Sequence, residues 1–439
     1  MIKKIQQDFI YFLHEFKDNY RKGVHRLRTI LASRAQAQAF VSNAGGVAVV
    51  LGYEPSAPDK NAQELYALLA ASPYIDDAVQ TFLGSIYEAG AESQDAMYSD
   101  SARCLEILHD PVMARAAGAG AVSAGKWIAT LAGQSCNLYR DMNAVAASDI
   151  AMTAVAASET AMEAVISSTI ALNAVAASKT AMTAVAANET AMVAVAASRV
   201  AMSAIIGNST ALNAVVTSSV AMAAVIGNST ALNAVVSSST AMAAIAASQT
   251  AMAAVAASDV AVAAVYGSAV AVDAVKANET AWATLTGATS AVMGKAAAKL
   301  AGLNPADYAD MAAIASSSTA MTAIANNKTA ITAVEASVVA KNALYNSPLK
   351  TSISNIASTS SWTTRRNGKI WLISFRQTWS SGNTSMQHRS TLKDGGTVSC
   401  TASQSYNTDY RIDRFMDSIT NYNSAGGIGN VCTYYFIPC

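Results

Sequence analysis

Near the C-terminus Ser385, His388 and Asp394 follow one another, the residue types of a nucleophile, its base and the acid that orients the base. No G-x-S-x-G turn frames a serine, however, and a single histidine in a polar stretch reads as solvated. Asp409, Asp413 and Asp417 stand at i, i+4, i+8. Paired carboxylates of that kind could serve a polysaccharide depolymerase, but the spacing reads more simply as one face of a helix. His14, His25 and His109 are isolated, with no metal-ligand spacing. No catalytic residue, no metal and no cofactor is therefore expected. Cys104 and Cys136 read as buried small apolar residues. Cys400, Cys432 and Cys439 cluster near the end of the sequence; one disulfide could form among them in an oxidising medium, with an all-thiol state as the alternative.

Recognition chemistry has better material. From about residue 351 alanine nearly vanishes and aromatics accumulate, with eight basic against four acidic residues. Trp371, Phe375, Tyr434 and Phe436 are expected in a core. Trp379, His388, Arg389, Tyr406, Tyr410 and Tyr422 lie in polar contexts, and aromatic-plus-arginine surfaces suit glycans or protein loops. Lys369–Arg376 reads as a strand, and Asp394-Gly395-Gly396 as a hairpin turn before 397–402.

These residues need a support, and a repeat dominates the sequence before them. From Asp141 to Thr280 the chain repeats every 10 residues, 14 times without an insertion, as in Ala151-Met-Thr-Ala-Val-Ala-Ala-Ser-Glu-Thr160. The fourth position is always Ala, the fifth Val or Ile, the eighth Ser or Asn, the tenth Thr, Val or Ile. Ten residues in three turns is about 3.33 per turn, a heptad plus a stammer. On such a continuous helix the first, fourth, fifth and eighth positions form a narrow seam, flanked by the second and seventh. The third, sixth, ninth and tenth then face solvent. Val155, Ser158, Val185, Asn188, Asn208 and Asn228 would be the shaft core. So small a seam predicts several identical chains around one axis, with a homotrimer preferred, spanning roughly 210 Å if fully helical. The β-branched residues every five positions and the pairs Gly207-Asn208, Gly227-Asn228 and Gly267-Ser268 leave two alternatives: a helix broken once per decad, or a β-solenoid.

Composition agrees with an unusual architecture. Of 439 residues 13% are charged, against a usual value of about 25%, and 52% are apolar. Lys plus Arg and Asp plus Glu are both 29, so no concentrated basic footprint for nucleic acid exists. The opening residues carry no signal-peptide h-region, and no stretch offers about 20 strongly apolar residues, so neither export nor membrane insertion is expected. Four regions follow. Residues 1–140 read as helical, with Phe9, Leu13, Phe16, Tyr20 and Val24 in a stripe, a break from Gly45-Gly46 to Pro58, and helices over roughly 61–71 and 75–90. Residues 141–280 are the decad shaft. Residues 281–350 are an interrupted shaft with Gly287, Gly294, Gly302 and Pro305 as breaks. Residues 351–439 are a β-rich head. The expected fold class is mainly α and elongated, a homotrimeric coiled-coil-like shaft with a small C-terminal β-rich head.

The helical N-terminal part, the TAM-x-AVAAS decads (190–198, 250–258) and the aromatic C-terminal part together resemble a bacteriophage tail fibre. That resemblance implies a homotrimeric structural protein of the virion, assembled in the host cytoplasm. Its N-terminal region would join other tail or baseplate proteins, and its distal tip would bind a host glycan or outer-membrane protein. A bacterial trimeric adhesin would need an export signal and a C-terminal barrel whose apolar-out alternation this sequence lacks.

Overall fold

The computed structural model describes Phe16 and residues 19–52, 60–87, 93–356, 363–378, 385–391, 397–403, 409–423 and 431–439. The chain is mainly helical, with one antiparallel sheet at its C-terminal end. It forms two compact units, Met1–Ala234 and Val235–Cys439. Among the described residues no single helix is long and apolar enough to cross a membrane.

Short helices from Tyr20–Ala32 to Ala121–Leu131 build the N-terminal part. Phe16 and Val24 of the expected stripe are buried; Phe9 and Leu13 lie outside the described residues. The expected break at Gly45-Gly46 is a helix, Ala44–Leu51. Asn43 caps it by accepting the Gly46 N–H at 2.8 Å, and the following Val-Ala-Val-Val-Leu run buries Val47, Val50 and Leu51. Trp127 is fully buried and donates its indole N–H to the Cys104 carbonyl at 3.0 Å. Cys104 and Cys136 are buried, and burial pushes the Cys104 thiol up to about 12.

Each decad is a separate helix. Asp149–Ala157, Glu159–Ser167, Thr169–Ala177 and Lys179–Ala187 follow one another, joined by one non-helical residue each. That residue is the eighth of the decad. Ser158 has φ −104° and ψ 116°, and it is both the last cap of one helix and the first cap of the next. Its N–H donates to the Val155 carbonyl at 3.1 Å, its carbonyl accepts from Met162 at 3.0 Å, and its Oγ accepts the Ala161 N–H at 3.2 Å. Ser or Asn is required there because four N–H groups open at every helix start and a short side-chain oxygen closes one of them. A single extended residue turns the path sharply: consecutive helices bend by 101° at Ser158, 98° at Ser178, 100° at Ser198 and 102° at Ser258.

Within each unit the turning brings helices over those three decads earlier. Lys179–Ala187 packs on Asp149–Ala157, and Ser219–Gly227 on Glu189–Ala197; in the second unit Ala269–Lys276 packs on Ser239–Ala247. Cap serines add bonds between these rows, Ser178 Oγ to the Ala146 carbonyl and Ser268 Oγ to Val236 at 2.6 Å, each 32 residues back.

Three expectations change here. The decads are not a continuous coiled-coil helix, and the β-solenoid alternative is excluded because residues 141–350 form no strand. The buried stripe is the first, second, fifth and sixth positions (Ala151, Met152, Val155, Ala156), and the sixth had been expected in solvent. Within nine residues the ordinary period of 3.6 holds, and the cap resets the phase each time, so a period averaged over the repeat selects the wrong stripe. Val155 and Val185 are buried within this chain, and Ser158, Asn188, Asn208 and Asn228 are half-buried and cap helix starts. Small residues thus fill a single-chain core row on row, which removes the premise that the decads need partner chains to bury their seam.

The sheet has the order β1-β6-β2-β5-β3-β4: Thr351–Ile356, Val431–Pro438, Thr363–Thr378, Asp409–Asn423, Ser385–Thr391 and Thr397–Ser403. All its pairings are antiparallel. The expected strand 369–376 lies within β2; β3 pairs with β4, Thr391 facing Thr397, and the expected turn Asp394-Gly395-Gly396 lies outside the described residues. Residues 409–417 belong to strand β5, so the helix-face reading of Asp409, Asp413 and Asp417 is wrong.

Candidate functional site

The middle of β2 is buried on both faces, from Ile370 to Phe375. Ile370, Leu372 and Phe375 form a cluster with Met416, Ile419, Tyr434 and Phe436, while Trp371 stacks edge-on against Phe415 at 4.8 Å. The aromatics expected in the core, Trp371, Phe375, Tyr434 and Phe436, are all buried there. Register shifts at three places along the β2–β5 pairing bend these long strands.

The sheet is seated on helices rather than hung from their end. Strands β2 and β6 pack on helix Ser318–Ala325, and β5 on Lys328–Ala336. Polar contacts fix the seat. Glu335 takes Arg414 at 2.8 Å on one oxygen and the Phe415 N–H at 3.0 Å on the other. Lys369 donates to Asn326. Arg411 lies over the Tyr345 ring at 4.8 Å, donates to Asn342 at 3.4 Å and holds Asp413 Oδ2 through Nε at 2.8 Å.

Asp413 is unusual twice over. Its φ is +52°, the left-handed region where Asp and Asn are the tolerated side chains, and it is the one non-glycine residue there among the described residues. It is also 8% exposed, and its Oδ1 is buried without a hydrogen bond among the described residues. Burial raises its pKa above the ordinary carboxylate value, and the nearby Arg411 only partly opposes that.

Of the expected recognition residues, Trp379 and Tyr406 lie outside the described residues. The strand registers bring the backbones of three others near one another, Arg389 and Tyr422 at positions of one sheet face and His388 at a position of the other. His388 and Arg389 on β3 face Asn421 and Thr420 of β5, one step from Tyr422, which faces Gln387. Tyr410 is at the opposite end of β5, facing Phe375 of β2. Cys432 and Cys439 are seven residues apart along one strand and its end, about 23 Å at ~3.3 Å per residue, too far for a disulfide. Cys400 is on β4, separated from β6 in the sheet by β2, β5 and β3. The Cys439 thiol lies 3.5 Å from the Ile437 carbonyl. Among the described residues no group of three or more His, Cys, Asp or Glu side chains could hold a metal ion.

Sequence reasoning missed Glu335, Arg411 and Arg414. A signal for the first existed: Glu335 stands at the sixth decad position, mostly filled by Ala, Val or Ile, so a carboxylate there announces a polar partner. The chain matches no protein-family model, and no curated protein matches it.

Proposed function

We propose that this chain is a structural fibre protein of a bacteriophage virion. Its N-terminal helices attach it to other tail or baseplate proteins, its decads act as a spacer, and its C-terminal sheet meets a glycan or outer-membrane protein on a host cell. The supporting observation is the way the decads end. The repeat terminates in helices that hold an aromatic-rich sheet through Glu335, Asn326 and Tyr345. Such an arrangement suits display rather than turnover, and no catalytic residue enters the proposal. Several chains, three by the resemblance, would make one fibre. They would join elsewhere than through the decad core, since Met152, Val155 and their equivalents are already covered within one chain.

The test is adsorption of the full-length protein to a panel of intact bacteria, with competition against phage that infect them. Binding and competition are expected on the same strains, weakened by Arg389→Ala or Tyr422→Ala without change in helical content. A correctly folded protein that neither binds nor competes on any phage-sensitive strain would refute the proposal. Native mass measurement gives the chain count.

A further inference from the structure

Residues 121–148 and 290–317 align without a gap at an offset of 169 (290 − 121), with identical residues at 12 of 28 positions. Several identities owe nothing to the decad pattern: Gly125 and Gly294, Gly133 and Gly302, Tyr139 and Tyr308, Asp141 and Asp310.

The folded forms agree as closely. Helices Ala121–Leu131 and Ser290–Leu300 are each 11 residues long, and each leads into a 3₁₀ turn, Cys136–Leu138 or Pro305–Asp307. Gly133 and Gly302 turn the chain between them with φ of +72° and +77°. Gly125 and Gly294 lie mid-helix directly under the backbone that opens the decads. A Cβ there would sit 2.4 Å from the Asp141 carbonyl carbon and 2.3 Å from that of Asp310. Asp141 and Asp310 then cap the first short helix, each accepting the N–H three residues on at 2.9 Å. The match runs on into the decads. Ser178 donates to Ala146 and Ser347 to Ala315, each 32 residues back, and the equivalent caps Ser168 and Ser337 are 2% and 0% exposed.

We propose that 121–141 and 290–310 are two copies of one start module for decad arrays, and that 290–347 is a second, re-equipped array serving as the platform of the sheet. The physical need is plain. The short helices of a new array need a seat that joins them to the helices before them, and repeat proteins use atypical units at such junctions. In both copies the 11-residue helix is that seat, packed behind on Ile75–Ile86 and Ser101–His109 in the first and on Asp259–Gly267 in the second. Ala121–Leu131 packs on Met142–Ala147, Glu159–Ser167 and Thr169–Ala177, and Ser290–Leu300 packs on Met311–Ala315, Lys328–Ala336 and Val338–Tyr345. The copies differ where the sheet sits: Asn326, Glu335 and Tyr345 stand where the first array has Ala157, Ile166 and Ala176.

Two variants of the full-length protein test this. Gly294→Val drives a side chain into the Asp310 backbone, with Gly227→Val, where a Cβ meets open space, as its control. Amide exchange is expected to quicken about tenfold or more across 311–347 and the sheet, while 151–227 keeps its protection. In the second variant, residues 299–310 are replaced by residues 130–141. Equal length and equal geometry predict a Tm within roughly 3 °C of the parent and an unchanged exchange pattern. The proposal is overturned if Gly294→Val behaves like Gly227→Val, if its loosening spreads through 151–227, or if the replacement unfolds 311–347.

Discussion

Removal of the Ser168 hydroxyl is the sharpest probe of how the decads cohere. Ser168 is 2% exposed; its Oγ accepts the Ala171 N–H at 3.1 Å and donates to the Gly118 carbonyl at 2.6 Å. Ser198, thirty residues on, makes the same cap at 3.2 Å to Ala201 and is half-buried. Loss of a cap alone costs about 1 kcal/mol, so Ser198→Ala should lower Tm by about 2–4 °C for a unit of this size. Ser168→Ala also strands the Gly118 carbonyl, a further ~1–3 kcal/mol. Its total of about 2–4 kcal/mol corresponds to a Tm loss of roughly 4–16 °C. Asparagine separates the two roles. Ser198→Asn should be near neutral, because Asn208 caps its helix with bonds of 2.9 and 3.1 Å. Ser168→Asn should be costly, because a Cβ placed on Gly118 would already lie 2.9 Å from the Ser168 Cβ. Calorimetry with urea unfolding of the four variants is the assay. Equal losses for Ser168→Ala and Ser198→Ala would refute the claim that cap serines bind separate parts of the chain together.

Gly227 has an ordinary negative φ and no atom within 4 Å of a built Cβ, so Gly227→Ala should stabilise by about 0.5–1 kcal/mol in urea unfolding. Asp413→Asn keeps a residue that tolerates the left-handed backbone and removes a carboxylate whose burial raises its pKa. A raised folded value means the charge disfavours folding above that value and has no effect below the unfolded one. The variant should therefore melt higher than the parent at pH 7 and lose this advantage as the pH falls below about 4; a lower Tm at pH 7 would contradict the assignment. Glu335→Ala leaves the Phe415 N–H without its acceptor, and it should cost about 1–3 kcal/mol, with faster exchange of β5 in mass-spectrometric mapping.

Much of this architecture was legible because the repeat states its own grammar. Ser or Asn every tenth residue, before a run of Ala, Met and Val, is a helix start repeated, and the helical content and the C-terminal strands follow directly. The stripe was misread for a reason contained in the same residue: the cap breaks the helix, so phase is not carried from Val155 to Val165. Gly45 and Gly46 suggested a break, but Asn43 and the apolar residues after them outweighed their low propensity. The i, i+4, i+8 spacing of Asp409, Asp413 and Asp417 keeps one face of a strand as well as of a helix, and aspartate says little about which applies. Of the candidate recognition set, the strand registers place Arg389 and Tyr422 at neighbouring positions of one sheet face, a proximity across strands that no local pattern encodes.

The bend of about 100° between consecutive decads equals the angle by which an α-helix advances per residue. Within each unit helices therefore stand to one another as residues stand within a helix, and neighbours recur three or four helices on. Inside one unit a lateral stripe is consequently written not every ten residues but every thirty to forty, as with Glu159 and Glu189, which start helices three decads apart. Nearly uniform units can thus carry several independent surfaces, each spelled by the freely varying third and ninth letters of decads far apart in the chain.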